Sequence, residues 1–332
     1  MKQLFVTTIM VLFLFACGVE QYHTVEGGTQ GTTFRIVYKS NSSYDIEIYS
    51  MLEEIDNSLS VYNEKSIISR INRNEANVEL DALFIDFYNE SREVFEKSDG
   101  YFDITVGPLV NAWGFGVDSR RTADSSKIDS IKAIVGMNKI SLKNNRLIKA
   151  DPRIYLDGNA IAQGQSVDYI ADFFEQKGIE NYLVEIGGEV RTKGVNDKGV
   201  KWKIGIDRPV ENSTTNNREL EAIVNLSGKS LATSGNYRKF YEWNGIKYSH
   251  SINPKTGYPS RDVMLSATIV ADQCGIADAF ATACMVMGFD KAVEMLKKNK
   301  NIDAFFVYAG ENGEFKTFMT EGFKQYLEEE IK

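Results

Sequence analysis

The chain has 332 residues, 43% of them hydrophobic and 25% charged, which is ordinary for a globular protein. A net charge of −8 and a pI near 5.1 argue against a nucleic-acid surface. The two histidines, His23 and His250, lie far apart; this argues against a His-based zinc site but leaves room for a carboxylate and carbonyl site for Mg²⁺.

At the N-terminus, Lys2 precedes an apolar run from Leu4 to Phe15. That run is shorter than the roughly 20 residues needed to span a bilayer. It ends in Leu14-Phe15-Ala16-Cys17-Gly18, which resembles a bacterial lipobox, where a small residue precedes the lipidated Cys. The pattern predicts a signal peptide over residues 1–16, a lipidated N-terminus and tether over 17–24, and a folded domain over 25–332. Cys17 would carry lipid and hold the protein on a bacterial membrane, facing the periplasmic or extracytoplasmic side. The remaining cysteines, Cys274 and Cys284, do not demand a disulfide, and Cys284 reads as core.

Gly27 to Thr33 reads as a Gly/Thr-rich turn entering a strand from Phe34 to Tyr38. Ile48, Met51, Leu52, Ile55 and Leu59 fall at helical spacing, and a polar loop from Ser60 leads to a short helix near Arg70. Leu83, Phe87, Val94 and Phe95 mark another helix, closed by Asp99-Gly100. The aromatic and Gly-rich stretch from Tyr101 to Gly116 contains Pro108, which argues against a central strand. Its rings suit either a slot for a planar ligand or a core. Residues 117–150 are more polar and peripheral.

Tyr155 to Gly164 reads as a strand running into a loop, followed by a helix bearing Val167, Ile170, Ala171 and Phe174 and stopped by Gly178. Strands are expected at Tyr182 to Ile186, Lys201 to Ile206, Leu220 to Leu226, Met264 to Ala271, Ala304 to Tyr308 and Phe315 to Met319. Residues 211–218 read as an exposed loop, and Asp290 to Lys298 as a helix. This order predicts an α+β fold with a largely antiparallel sheet and packed helices.

Gly275 to Gly288 reads as a helix of small and apolar residues. Its polar members, Asp278 and Thr282, are spaced i, i+4 and share one face, with Ala281 beside them. A buried carboxylate needs a partner. A hard cation such as Mg²⁺ would satisfy both oxygens. A carboxylate paired to an Arg, or capping a neighbouring loop, is the alternative.

Several motifs together resemble the ApbE family of FAD:protein FMN transferases. They are Gly28-Thr29-Gln30-Gly31-Thr32, Ser98-Asp99-Gly100-Tyr101-Phe102-Asp103, Trp113-Gly114-Phe115-Gly116, Val184-Glu185-Ile186-Gly187-Gly188-Glu189, Thr233-Ser234-Gly235-Asn236-Tyr237-Arg238, Ser249-His250-Ser251-Ile252-Asn253-Pro254-Lys255-Thr256-Gly257 and Ala277-Asp278-Ala279 with Ala281-Thr282. The resemblance runs from Gly28 to about Lys324 and implies an ApbE-like fold. It also implies a Mg²⁺-dependent reaction in which FAD is cleaved at its pyrophosphate. FMN would pass to a Thr or Ser hydroxyl of an acceptor protein, leaving AMP.

On this resemblance the metal ligands are Asp278, Thr282, the Ala160 carbonyl and the position of Ala281, which offers only its backbone. The FAD contacts are Gln30, Tyr62, Tyr101, Phe102, Asp103, Asp157, Gln163 and Ile252, with aromatic rings supplying much of the contact. His250 is the expected base or proton shuttle, and Arg238 a candidate for steadying the pyrophosphate. The implied acceptors are extracytoplasmic redox subunits, such as those of sodium-pumping NADH:quinone reductases and related electron-transport complexes. A Mg²⁺-dependent FAD hydrolase and a non-catalytic FAD-binding lipoprotein are the alternatives. The chain departs from its relatives around the flavin site. Gln30 stands for a common Met, Gln163 for Lys or Glu, Asn159 for Gly and Gln165 for an aromatic residue.

Overall fold

The computed structural model describes residues 20–116, 124–210, 219–236, 240–243, 246–249, 251–260, 263–311 and 314–330. The expectations for Cys17, Arg238, His250 and the loop at 211–218 lie outside these residues. The elements in order are β1 (Gln21–Thr29), β2 (Thr32–Ser40), α1 (Asp45–Leu59), α2 (Ile67–Asn72), α3 (Ala82–Lys97), α4 (Gly107–Trp113), α5 (Ser125–Lys132), β3 (Ile140–Lys143), β4 (Arg146–Lys149) and α6 (Ala162–Gln176). They continue with β5 (Tyr182–Ile186), β6 (Glu189–Lys193), β7 (Trp202–Asp207), β8 (Leu220–Leu226), β9 (Lys229–Gly235), β10 (Phe240–Trp243), β11 (Ile246–Ser249), β12 (Met264–Ala271), α7 (Cys274–Met287), α8 (Phe289–Lys298), β13 (Asp303–Ala309), β14 (Phe315–Met319) and β15 (Leu327–Glu330).

Among the described residues, eight strands form one sheet in the order β1-β2-β5-β6-β9-β12-β13-β14. Every neighbouring pair in it is antiparallel. Helices α6 and α7 pack on one face, backed by α1 and α3. A smaller sheet, β15-β8-β7, covers the other face through Val224 and Leu226, which meet Leu231, Val270 and Phe305. Strand β12 is therefore buried on both sides. Ala267 and Ile269 face the helices while Val270 faces the small sheet, which explains its near-continuous apolar run.

Local chemistry sets the helix boundaries. Asp81 caps α3 by accepting from the Phe84 N–H at 2.8 Å. Its buried stripe of Phe84, Phe87, Tyr88, Ser91 and Val94 keeps helical spacing. Helix α7 is apolar nearly all round and is buried accordingly; Thr282 is the one residue in it not fully buried.

Two expectations, the tether and the Tyr155 strand, need correction, and two stretches left open gain definite structure. The tether does not extend to residue 24, because Gln21 to Thr24 already pair with Ser40 to Val37 in the β1–β2 hairpin. The stretch 101–116 holds a short helix, α4, with Pro108 in its first turn and Gly114 closing it at φ 80°. Tyr155 to Asp157 is no strand. Its pairing is limited to an isolated parallel bridge from Tyr155 to Val106 and the Asp157 N–H donating to the Ile104 carbonyl at 2.7 Å, while the Asn72 side chain accepts from the Leu156 N–H at 2.7 Å and donates to its carbonyl at 2.9 Å. The peripheral 124–150 region is also structured, as α5 and the β3–β4 hairpin. Both Cys274 and Cys284 are free and buried.

Candidate active site

Helices α6 and α7 meet at their N-terminal turns. A Cβ at Gly164 would lie 2.4 Å from the Cys274 carbonyl oxygen, so only glycine permits this approach of backbones. Two hydrogen bonds fasten the contact in opposite directions. The Gly164 N–H of α6 donates to Asp278 Oδ2 at 3.2 Å. The Gly275 N–H of α7 donates to Asp168 Oδ2 at 2.8 Å. Helix α7 has no side-chain cap of its own, so Asp168 supplies one from across the interface. Arg191 holds the other Asp168 oxygen at 2.8 Å and also reaches Asp172 and Glu175. Asp168 and Arg191 were not singled out in the sequence. The available signal was an Asp directly after Val167, at the start of the apolar face of a helix.

Asp278 is 7% exposed, and burial pushes its carboxyl up to about 7. Among the described residues it has no ion pair, so the expected alternative of an Arg partner is not found there. The Gly164 N–H, which would meet the Ala160 carbonyl if α6 began earlier, turns to Asp278 instead. Thr282 Oγ1 lies one turn along from Asp278 and 3.2 Å from Ser234 Oγ on β9. Ala281 is wholly buried in the main core and brings no side-chain donor. No group of three or more His, Cys, Asp or Glu side chains able to hold a metal occurs among the described residues. A site here would combine one carboxylate, one hydroxyl and a carbonyl.

Gln30 and Gln163 gather at the same end. Gln30 occupies the β1–β2 turn at φ 51° and donates to Ser166 Oγ at 2.6 Å. Gln163 approaches the β5–β6 turn, its Nε2 lying 2.9 Å from where a Gly187 Cβ would be. Asp157 is half-buried, accepts from the Asn159 N–H at 2.9 Å, and is pushed up by burial. The Tyr155 phenol is pushed up by burial, then by the charge of Asp157. Tyr62 itself is 65% exposed.

A second group lies toward the far end of α7. Tyr101 Oη accepts from Lys291 Nζ at 2.7 Å, and Lys255 Nζ sits 4.2 Å from its ring centroid. Beside them a cavity of about 370 Å³ is lined by Asn253, Thr256, Ser260, Val286 and Lys291 among others. Val286 is one helical turn beyond Thr282, so α7 links the two groups. The sequence did not single out Lys291.

Three expected ring or side-chain contacts are turned inward. Phe102 is 2% exposed and packs in the main core. Ile252 packs with Leu109, Trp113, Ile128 and Val135. Asp103 is buried, with Oδ1 accepting from the Thr105 N–H and hydroxyl at 2.8 and 2.6 Å and Oδ2 from the Met137 N–H at 3.2 Å. Phe102 and Ile252 can offer a ligand only their backbone, so the rings left accessible are the exposed one of Tyr62 and the half-buried one of Tyr101.

The ApbE family model matches residues 30–306. The FAD:protein FMN transferase of Haemophilus influenzae is 36% identical over 340 residues, covering 97% of this chain and 97% of that protein. The one from Vibrio cholerae is 34% identical over 339 residues, covering 98% and 99%. The solved structure of the flavin transferase ApbE from Vibrio cholerae matches with a TM-score of 0.82 at 33% identity, over 93% of this chain and 100% of that one. The apo flavinyl transferase ApbE of Pseudomonas stutzeri matches at 0.83 and 30% identity, over 94% and 98%. The α+β fold of those transferases is the fold found here, and with sequence and structure agreeing over nearly its whole length, the chain belongs to the ApbE family.

Proposed function

We propose that this chain is a Mg²⁺-dependent FAD:protein FMN transferase. Its relatives carry that name. The observation that carries the reading in this chain is the Asp278–Thr282 face: a buried carboxylate with a single backbone hydrogen bond and, one turn along, a half-buried hydroxyl, to which the family resemblance adds the Ala160 carbonyl. That donor set fits Mg²⁺, a hard cation that takes few protein oxygens and fills its remaining positions with water and substrate phosphate. Bound there, Mg²⁺ would neutralise charge on the pyrophosphate oxygens of FAD.

The chain's own residues do the rest. Asp278 is held in place by Gly164 and, through α7, by Asp168, and Ser234 orients the Thr282 hydroxyl. Gln30, Gln163, Tyr62 and Asp157 border the flavin side. Tyr101, flanked by the ammonium groups of Lys255 and Lys291, offers a ring face and positive charge to the nucleotide. The acceptor hydroxyl oxygen bonds to the FMN phosphorus as the bond to the AMP phosphate oxygen breaks, and the hydroxyl proton departs. His250 is assigned that proton on its sequence motif.

The acceptor is proposed to be an extracytoplasmic redox subunit, of the kind found in sodium-pumping NADH:quinone reductases and related complexes. Cys17 is proposed to carry lipid and hold the enzyme on the outer side of a bacterial membrane. Among the described residues no helix is long and apolar enough to cross a membrane. The test is incubation with FAD, Mg²⁺ and a Thr-bearing acceptor, read by intact-protein mass and in-gel flavin fluorescence. An acceptor gaining the mass of an FMN phosphoester, with AMP released in equal amount, is the expected result. AMP and free FMN without acceptor labelling would replace transfer by hydrolysis, and no AMP at all would leave a binding protein.

A further inference from the structure

The two ends of the β1–β2 hairpin differ in kind. At one end Gln21 pairs with Ser40, Tyr182 pairs with both Tyr38 and Lys193, and α6 finishes at Gln176. At the other end lie the Gln30 turn, the Gly187 turn and the start of α6, where Gly164 meets Asp278. From Gln21 to Thr29 an antiparallel strand advances about 27 Å. The candidate active site is therefore a full strand length from the start of β1 at Gln21.

That starting end carries unpartnered apolar side chains. Ile46, at the first turn of α1 just beyond Ser40, is 83% exposed, and Val200 is 48% exposed. Val200 belongs to the loop at 194–201, which is tied to the start of β1 by the hydrogen bond from Tyr22 Oη to the Val195 carbonyl at 2.8 Å. Charges there are mixed: Lys177, Lys198 and Lys201 stand with Asp45, Glu47, Glu180 and Asp197, all exposed. With three lysines against four carboxylates this surface is close to neutral, so lipid charge has little hold on it.

We propose that this end of the molecule, with Ile46 and Val200, rests on the lipid surface, so that the Asp278 site opens away from the membrane at about the height of one strand. The inference depends on the lipidation of Cys17 proposed above. Because β1 already begins at Gln21, four residue steps separate the anchor from the sheet, and even fully extended they reach only about 14 Å. A link that short holds this end at the headgroups. The acceptor that fits the geometry is one whose hydroxyl stands well clear of the bilayer on a folded domain, not one at the headgroup level.

The test uses the full lipidated chain reconstituted into phosphatidylcholine vesicles, with Ile46→Cys, Val200→Cys or Thr33→Cys carrying a fluorescent maleimide. Thr33 is exposed and lies beside the far turn. Lipids with a nitroxide at the headgroup should quench the labels at 46 and 200 several-fold more than the label at 33, and added anionic lipid should leave that ratio unchanged. A label at 33 quenched as strongly as the others, on protein that floats with the vesicles, would overturn the orientation alone. Wild-type chain that fails to float, or a Cys17→Ala chain that floats equally well, would overturn the anchor and the orientation with it.

Discussion

Tyr62 and Glu90 show how differently two side chains near the site are used. Tyr62 is 65% exposed, and its ring is free to lie against a flavin. Tyr62→Ala should weaken FAD binding about tenfold, the scale of one lost aromatic contact, while turnover at saturating FAD changes little. Fluorescence titration checks this, and unchanged affinity would remove Tyr62 from the flavin site. Glu90 has the opposite setting. It accepts from Gln165 Nε2 at 2.9 Å and sits against Gly275, where an added Cβ would lie 2.5 Å from its Oε2. Burial, and then the charge of Asp168, push its carboxyl from 4.5 up to about 8. With the folded value above the unfolded one, the fold binds an extra proton between those limits, and stability falls as pH rises through them. Glu90→Gln should therefore raise the melting temperature by a few degrees above about pH 8 and have little effect near pH 5. Equal shifts at both ends of that range would show that Glu90 is already ionised in the fold.

At the scale of elements, the site depends on how α6 meets α7. The reciprocal bonds Gly164 to Asp278 and Gly275 to Asp168 fix both the rotation and the separation of the two helices. Asp168→Asn keeps an acceptor for Gly275 but removes the charge facing Arg191. It should cost about 1–3 kcal/mol of stability, less than the loss of a whole buried ion pair. If Asp168 also positions Asp278, the same variant should raise the Mg²⁺ concentration needed for half-maximal activity with little change in the KM for FAD. A lowered melting temperature with unchanged Mg²⁺ dependence would reduce Asp168 to a structural role. The helix pair was half legible in advance. The extent of α7, the apolar face and end of α6 and the Asp278–Thr282 face follow from spacing, whereas α6 begins at Ala162, inside the stretch read as a loop, and the cap from Asp168 joins residues 107 positions apart and leaves no periodic trace.

For the whole molecule, the strands that sequence reading located, such as β5, β8 and β12, are those with apolar runs or clean alternation. Strand β9, Lys-Ser-Leu-Ala-Thr-Ser-Gly, carries small polar residues, yet it lies mid-sheet and supplies Ser234 to the site. Its position comes from its neighbours rather than from its own pattern. Strand β1 was hidden in the same way, with a single buried residue, Val25, at the edge of the sheet. The motifs supplied the candidate residues of the site; the structure separates exposed Tyr62 and half-buried Tyr101 from inward ones such as Phe102, Asp103 and Ile252. What unites the molecule functionally is the claim that the Asp278 face is the metal-dependent centre of flavin transfer. The most direct test is AMP release and acceptor flavinylation across a Mg²⁺ titration, for the wild type, Asp278→Ala and Thr282→Ala, with folding checked by circular dichroism. Asp278→Ala should lose about 100-fold or more of the rate while FAD still binds, as when a main electrostatic stabiliser is removed. Thr282→Ala should fall less, because water can replace a neutral hydroxyl. A folded Asp278→Ala protein with near-normal transfer and the same Mg²⁺ dependence would contradict the account.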